Sequence, residues 1–472
     1  MNRPVLPLPA LDRGTGRPIA AQLAGHLRGV ILRGELGPGA RLASSRALAD
    51  ALGIARATVT TAYEQLAAEG YVSARQGSSV RVARGLHAGM VPPRGDARSP
   101  AFAATSRSAQ PFATGAVDAS MFPRLAWSRA LARAWRDPRP LLGRIDPFGA
   151  PILREAIAAH LAQWRGLGVG AERIVVTSGA VESITLLARA LLKPGDRVAV
   201  EDPGYLPIRD ALSDAGLAAV PVRVDAQGFD PERLLAHARV RAVLVTPSRQ
   251  FPMGPAMPVA RRLALLAWAA RTGALVIEDD FDSEYRYRGA PLPALASLDA
   301  AGRTIYLGSF SKVLSGALRI GWMALPDAAL APMRALLART GTHASLVPQP
   351  ALAELIATGR LARHIRRTRR VFAARQAALL AAADRHFAGL LDVQADPSGM
   401  HLVARLAPQL ARRMTDREAA GRAEAAGITA APISAHSSLR APPQGLLLGF
   451  AGFAPPVLED AAQHLARALR AR

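Results

Sequence analysis

Residues 303–312 read R-T-I-Y-L-G-S-F-S-K, and the reading of the whole chain turns on them. Thr304 to Leu307 are β-branched, aromatic or aliphatic, the residue types that strands favour. The run breaks at Gly308, and Lys312 follows two nearby hydroxyls, Ser309 and Ser311. A strand end therefore carries an amine. Of 59 basic residues only Lys193 and Lys312 are lysines. Arginine stays protonated in proteins and cannot form a Schiff base, whereas lysine can. Lys193, in L-L-K-P-G-D, reads as a charge at a helix C-terminus ahead of Pro194-Gly195. Lys312 is the chemical candidate.

Working outward, similar β-rich runs occur at 174–177, 197–201, 219–224, 241–247, 274–279 and 319–325, with helical segments between most of them. That alternation predicts a mostly parallel sheet covered by helices on both faces. Beyond about 330 the chain is Ala-rich and helical, with late strand candidates at 400–406 and 445–451, so a small α+β subdomain is expected there. The strand ends carry polar groups. Asp279 closes A-L-V-I-E-D, and Ser178-Gly179-Ala180 follows I-V-V-T and opens a helix. A helix N-terminus is a ready phosphate site. Tyr205 ends E-D-P-G-Y, and Arg319 lies seven residues beyond Lys312. An amine, hydroxyls, an arginine and a carboxylate suit an aldehyde cofactor with a phosphate and a ring nitrogen. Ligands of open parallel sheets bind at this edge. Each piece alone is ordinary; a Gly after a strand is usually a turn and a lone Tyr is usually core. Their occurrence together and in order is what carries weight. No G-x-G-x-x-G follows a strand and opens a helix, which sets a dinucleotide site aside.

The first 84 residues follow another pattern. Ile19, Leu23, Leu27, Val30 and Ile31 share a helical face, and Gly34 ends that helix. Ser44 or Ser45 caps a short second helix, Gly53 makes a turn, and a third helix is predicted from about Arg56 to Glu69. Its outer face shows Arg56, Thr58, Thr60 and Thr61. Tyr71-Val72 and Val80 to Val82 flank a turn at Gln76-Gly77-Ser78, a two-stranded wing. Two helices joined by a tight turn, the second one polar, can enter a DNA major groove. A three-helix docking domain has the same pattern. Residues 85–113, with four Pro, three Gly and three Ser, read as a flexible linker. As a coil it has an end-to-end distance of roughly 30 Å.

The 472 residues are half hydrophobic, enough for a large core and about three domains' worth of chain. The absence of Cys excludes disulfides, thiolate zinc sites and Cys nucleophiles, and no metal is expected. No apolar run approaches the ~20 residues of a membrane span, and Pro interrupts the N-terminus where a signal core would lie, so the expected location is the cytoplasm. The net charge is +23, of which residues 1–100 carry only +7. That excess invites a polyanion, although Arg-rich coding bias gives the same composition.

Residues 18–83 resemble the GntR-type winged helix-turn-helix. The carriers are P-I-A-A-Q-L, G-E-L-G-P-G-A-R-L, S-R-A-L-A, R-A-T-V-T-T-A-Y-E-Q-L and A-E-G-Y-V. The resemblance implies double-stranded DNA, an operator, as partner. It implies that Arg46 and Arg56 contact phosphates or guanine edges, that Thr58 and Thr60 lie along the groove, and that Arg75, Gln76 and Gly77 are the wing's contacts. Ala43, Ala55 and Ser79 depart from the usual Pro, Ser-type cap and Gly.

Residues 114–472 resemble fold-type-I aminotransferases through V176-T-S-G-A-V-E182, P194-G-D-R-V-A-V-E-D-P-G-Y205, T246-P-S-R-Q-F-P252, E278-D-D-F-D-S-E-Y285, G308-S-F-S-K312 and L318-R-I-G-W322. The join of the two is similar to MocR/GabR regulators. The expected architecture is a multidomain α/β chain: winged helix-turn-helix at 1–84, linker at 85–113, and a pyridoxal-phosphate-dependent aminotransferase-like body at 114–472. The resemblance implies pyridoxal 5'-phosphate on Lys312 as a Schiff base. It implies Asp279 at the ring nitrogen, Tyr205 stacked on the ring, and Gly179, Ala180, Ser309, Ser311 and Arg319 at the phosphate. It further implies a head-to-tail homodimer and a small-molecule effector, the cofactor itself or an amine. The rival reading is a working aminotransferase with an attached DNA-binding head, which fast multiple turnover would identify. Several residues depart from the pattern. Phe281 replaces a Tyr, Val181 a Gln and Arg249 a His, while Thr429 and Ala430 occupy the G-I-T-A-A-P stretch where relatives can place a carboxylate-gripping Arg. Arg249 and Arg440 are the substitutes considered for that role.

Overall fold

The computed structural model describes residues 11–12, 14, 16–73, 79–85, 110–143 and 146–471. The chain divides into two units, Met1–Thr105 and Ser106–Arg472. The first holds helices α1 (Ile19–Leu32), α2 (Ser45–Leu52) and α3 (Arg56–Ala68), then strands β1 (Val72–Ser73) and β2 (Arg81–Val82), paired antiparallel. The expected apolar face is buried: Leu23, Leu27, Val30 and Ile31 pack with Leu48, Val59, Tyr63, Leu66 and Val82 in one core. Ser44 is the residue that caps α2, its Oγ accepting from the Ala47 N–H at 3.2 Å. Ala55 gives α3 no side-chain cap.

The second unit is built on a seven-stranded sheet. Its strands are β3 (Ile174–Thr177), β4 (Arg197–Asp202), β5 (Ala218–Arg223), β6 (Val240–Val245), β7 (Leu275–Asp280), β8 (Thr304–Ser309) and β9 (Gly321–Ala324). The order is β3-β9-β8-β7-β6-β4-β5. Five strands, β5 through β8 with β4 among them, pair in parallel, while β9 runs antiparallel to both β8 and β3. Alternate residues of a strand face opposite sides, and the packing shows it. Val198, Val200, Ile277, Ile305, Leu307 and Met323 enter one core; Ala199, Val243 and Val276 enter a second, and Tyr306 and Trp322 a third.

A second, antiparallel sheet has the order β10-β11-β13-β12, from strands Leu391–Val393, His401–Leu406, Ala431–Pro432 and Gly445–Gly449 taken as β10 to β13 in chain order. Apart from Phe112 and Tyr285, its buried core gathers from Phe372 onward. That is later than the expected 330. Met333, Leu336 and Leu337 of helix Asp327–Thr340, and Leu352 and Leu355 of helix Gln349–Ala357, pack on the large sheet instead. An Ala-rich helix carries no sequence signal of which sheet it covers. The first described residues of this unit are held on the small sheet. Phe112 is buried, its carbonyl accepts from the Gly449 N–H at 2.8 Å, and the Pro111 carbonyl accepts from the Thr429 N–H at 3.0 Å.

Candidate functional site

In the N-terminal unit, α3 is the polar helix. Arg56 is exposed at its start, and its Nε donates to Ser45 Oγ on α2 at 3.2 Å. Thr60 is exposed and Thr58 half-buried, and Arg46 is exposed on α2. Tyr63 anchors the inner face, its hydroxyl donating to the Ala43 carbonyl at 2.9 Å, and burial pushes its pKa up to about 12. Arg75, Gln76 and Gly77 lie outside the described residues.

In the body, the predicted residues gather at the C-terminal ends of the parallel strands. Asp279 is the penultimate residue of β7 and lies in register with Leu307 of β8, two residues before Ser309. Gly321, opposite Ser309, is also in register with Thr177 of β3. A Cβ at Gly321 would stand 2.8 Å from the Gly179 Cα, so this close approach requires glycine. Gly179 itself has φ 140° and ψ −179°, a region essentially reserved for glycine, and Ala180 begins the helix Ala180–Leu191. The first N–H groups of a helix have no partner within it and point outward. Arg319 is exposed and donates to Ser178 Oγ at 3.4 Å; Ser309 Oγ donates to Ser311 Oγ at 2.9 Å. Glu182 was not singled out in the sequence, yet its carboxylate accepts from the Ser178 N–H at 2.5 Å and so occupies one donor of this cup.

Lys312 opens from a short π-helix, Ser311–Ser315. Its Nζ donates to the Gly115 carbonyl at 3.4 Å. Gly115 has φ +72°, and a Cβ there would overlap the amine. Burial lowers the Lys312 pKa, opposed by the charges of Asp282 and Asp279. Asp279 is buried, with no hydrogen bond from another side chain among the described residues, and burial together with Asp280 and Glu201 pushes its pKa up to about 7. Tyr205 is exposed at the start of helix Leu206–Asp214; partial burial of its hydroxyl and the charge of Asp279 raise its pKa.

Phe251 was missed in the sequence. It is an aromatic hub, meeting Tyr205 at 5.5 Å, Phe281 at 5.7 Å, His401 at 5.7 Å and His436 at 5.3 Å, each edge to face. Only its place two residues after Arg249 in a quoted motif could have marked it. Glu201, also buried, accepts from Thr246 Oγ1 at 2.5 Å, and burial raises its pKa to about 7. Arg249 is not a ligand-facing arginine. It is buried, and its guanidinium bonds Asp396 at 2.9 Å, Asp282 at 3.4 Å and the His401 carbonyl at 3.0 Å. Arg440 is exposed.

Residues 115–439 match the aminotransferase class I and II family, and residues 19–82 match the bacterial regulatory proteins of the gntR family. The chain is 36% identical to the probable rhizopine catabolism regulatory protein MocR of Rhizobium meliloti, over 98% of this chain and 96% of that one. It is 40% identical to the pyridoxine biosynthesis transcriptional regulator PdxR of Corynebacterium glutamicum, over 75% and 76% respectively. Among solved structures, a kynurenine aminotransferase of Pyrococcus horikoshii, crystallised with PMP, superposes with a TM-score of 0.70 at 26% identity, covering 77% of this chain and 91% of that one. A gntR DNA-binding region joined to an aminotransferase-like body along almost the whole chain is the organisation of one family, and this chain belongs to it: the MocR-type transcriptional regulators.

Proposed function

We propose that this DNA-binding transcriptional regulator responds to pyridoxal 5'-phosphate, or to that cofactor and an amine, bound at the strand ends around Lys312. The observation that carries the reading is Asp279. A buried carboxylate without a hydrogen-bonding side chain or a cation in contact is costly, and the protonated ring nitrogen of a pyridine would supply the missing partner. The rest of the donor set fits. Lys312 has an amine whose pKa burial lowers, favouring the neutral nucleophile. Gly179, Ala180, Ser309, Ser311 and Arg319 form a cup suited to a phosphate dianion. When bound, the cofactor supplies an aldehyde that amines condense with and a ring that withdraws electrons.

The chain's own residues do the rest. Asp279 holds the ring-nitrogen proton, Tyr205 covers one ring face, and the Phe251 cluster excludes water. Phe281 offers no hydroxyl to the cofactor. In the head, Arg46, Arg56, Thr58 and Thr60 face DNA, with Arg75, Gln76 and Gly77 on the wing. The domain limits we assign are 1–84, 85–113 and 114–472, and the working form is a head-to-tail homodimer in the cytoplasm. Among the described residues no helix is long and apolar enough to cross a membrane.

The visible absorption of the purified protein with added pyridoxal phosphate tests the reading. A band that disappears in Lys312→Ala is expected, with a shift on adding one amine and no turnover. No Lys312-dependent band would overturn the cofactor site, and multiple turnover would mark an enzyme.

A further inference from the structure

A groove of about 560 Å³ lies on the body where helix Arg124–Ala134 meets the start of helix Arg360–His386. Five arginines line it: Arg124, Arg129, Arg360, Arg363 and Arg367. Among the described residues no acidic side chain lines it. Two acids on neighbouring elements are already engaged, Glu354 with Arg133 and Asp118 with Arg375. The floor is His364, buried, whose Nε2 bonds the Val313 carbonyl at 2.8 Å. Arg360, Arg363 and Arg367 follow helical spacing and share one face. At 1.5 Å per residue they span ~10 Å, the axial rise of about three phosphates on one DNA strand.

Three occupants compete for such a groove. A small anion site needs convergent, desolvated donors, and here Arg124, Arg129, Arg363 and Arg367 are exposed. A subunit interface depletes charge at its centre. A polyanion is held by exposed arginines, because displaced counterions supply the free energy. The same helix continues with exposed Arg366 and Arg370, extending the basic face beyond what a small molecule would cover. Most of the chain's +23 also lies outside its first 100 residues.

We propose that this groove is a second DNA contact, gripping the phosphate backbone independently of sequence and separately from α3. The inference rests on the chain's being a DNA-binding regulator. It assigns part of that binding to the aminotransferase-like body.

The test is a salt titration of the full-length protein on a mixed-sequence 60-bp duplex. The proteins compared are wild type, Arg124→Ala/Arg129→Ala/Arg363→Ala, the same three positions changed to Lys, and Arg56→Ala. The plot of log K against log salt loses ~0.9 in slope per phosphate contact removed. The triple alanine variant is expected to lose about 2 to 3 in slope, and the triple lysine variant to keep it. An unchanged slope in the alanine variant overturns the proposal. So does equal loss in the lysine variant, which would mean a structural role, or a changed sedimentation coefficient without DNA, which would mean a subunit contact. Arg56→Ala reports on the head separately: if it alone leaves binding intact, the reading of α3 fails and that of the groove does not.

Discussion

Arg249 Nη2 stands 2.9 Å from Asp396 Oδ2, 147 residues away in the chain, and the pair joins the loop after β6 to the loop between β10 and β11. The same guanidinium bonds Asp282 after β7, so one buried cation ties both sheets of the body together. Removing one member of such a pair strands the others. Arg249→Met is expected to cost about 3–5 kcal/mol, read as a lowered urea midpoint. A change under about 1 kcal/mol would show the pair to be replaceable by packing.

Asp279 gives a pH signature. Its folded pKa is pushed up to about 7, from the usual carboxylate value near 4. Between those values the native state holds a proton that the unfolded state has lost, so this group's contribution falls as pH rises from about 4 to 7 and stays low above that. In the cofactor-free protein, Asp279→Asn should therefore melt higher than wild type at pH 8 and close to wild type at pH 4. A constant difference across that range would contradict the burial argument.

Gly115→Ala places a methyl on the Lys312 amine and forces a left-handed φ on a residue with a Cβ. A loss of about 1 kcal/mol or more is expected from the backbone alone. The visible band formed with pyridoxal phosphate should weaken in parallel. Loss of stability with an unaltered band would separate the backbone from the amine.

Arg56 heads α3 and Thr60 follows one turn on. Arg56→Ala should weaken operator binding by about 1–3 kcal/mol and relax preference at one base pair. Selection of binding sites from a random duplex pool, followed by titration, measures both.

Ala55 leaves α3 without a side-chain cap. Ala55→Ser should stabilise the head by about 1 kcal/mol. Thermal melting of the full chain, followed by a probe placed in the head, reports it.

Much of this was legible in the sequence because the information is local. Short β-rich runs marked β3 to β9 and the two longer strands of the small sheet, and α1 to α3 followed from one apolar face and a Gly53 turn. The strand-end groups from Gly179 to Arg319 were legible because parallel strands deliver their C-terminal ends to one edge. What escaped depends on distant partners. Arg249 looked like a ligand-binding cation because nothing in its neighbourhood announces Asp396. Phe251 is a hub only once β11 and the Ile433–His436 turn bring His401 and His436 beside it. Gly115 sits just past the segment read as linker, and its match to Lys312 exists only in three dimensions. The two-residue strand β12 and three-residue β10 are too short to carry a period.

The anchoring of residues 110–115 on the small sheet bears on how force travels. Everything upstream of Phe112 leads along the backbone to the head, whose last described residue is Gly85. A displacement of Phe112 in its socket passes to the carbonyl of Gly115, the atom that holds the lysine amine. The socket and the chemistry lie three residues apart, so a shift of Phe112 reaches the carbonyl partner of the lysine along the backbone alone.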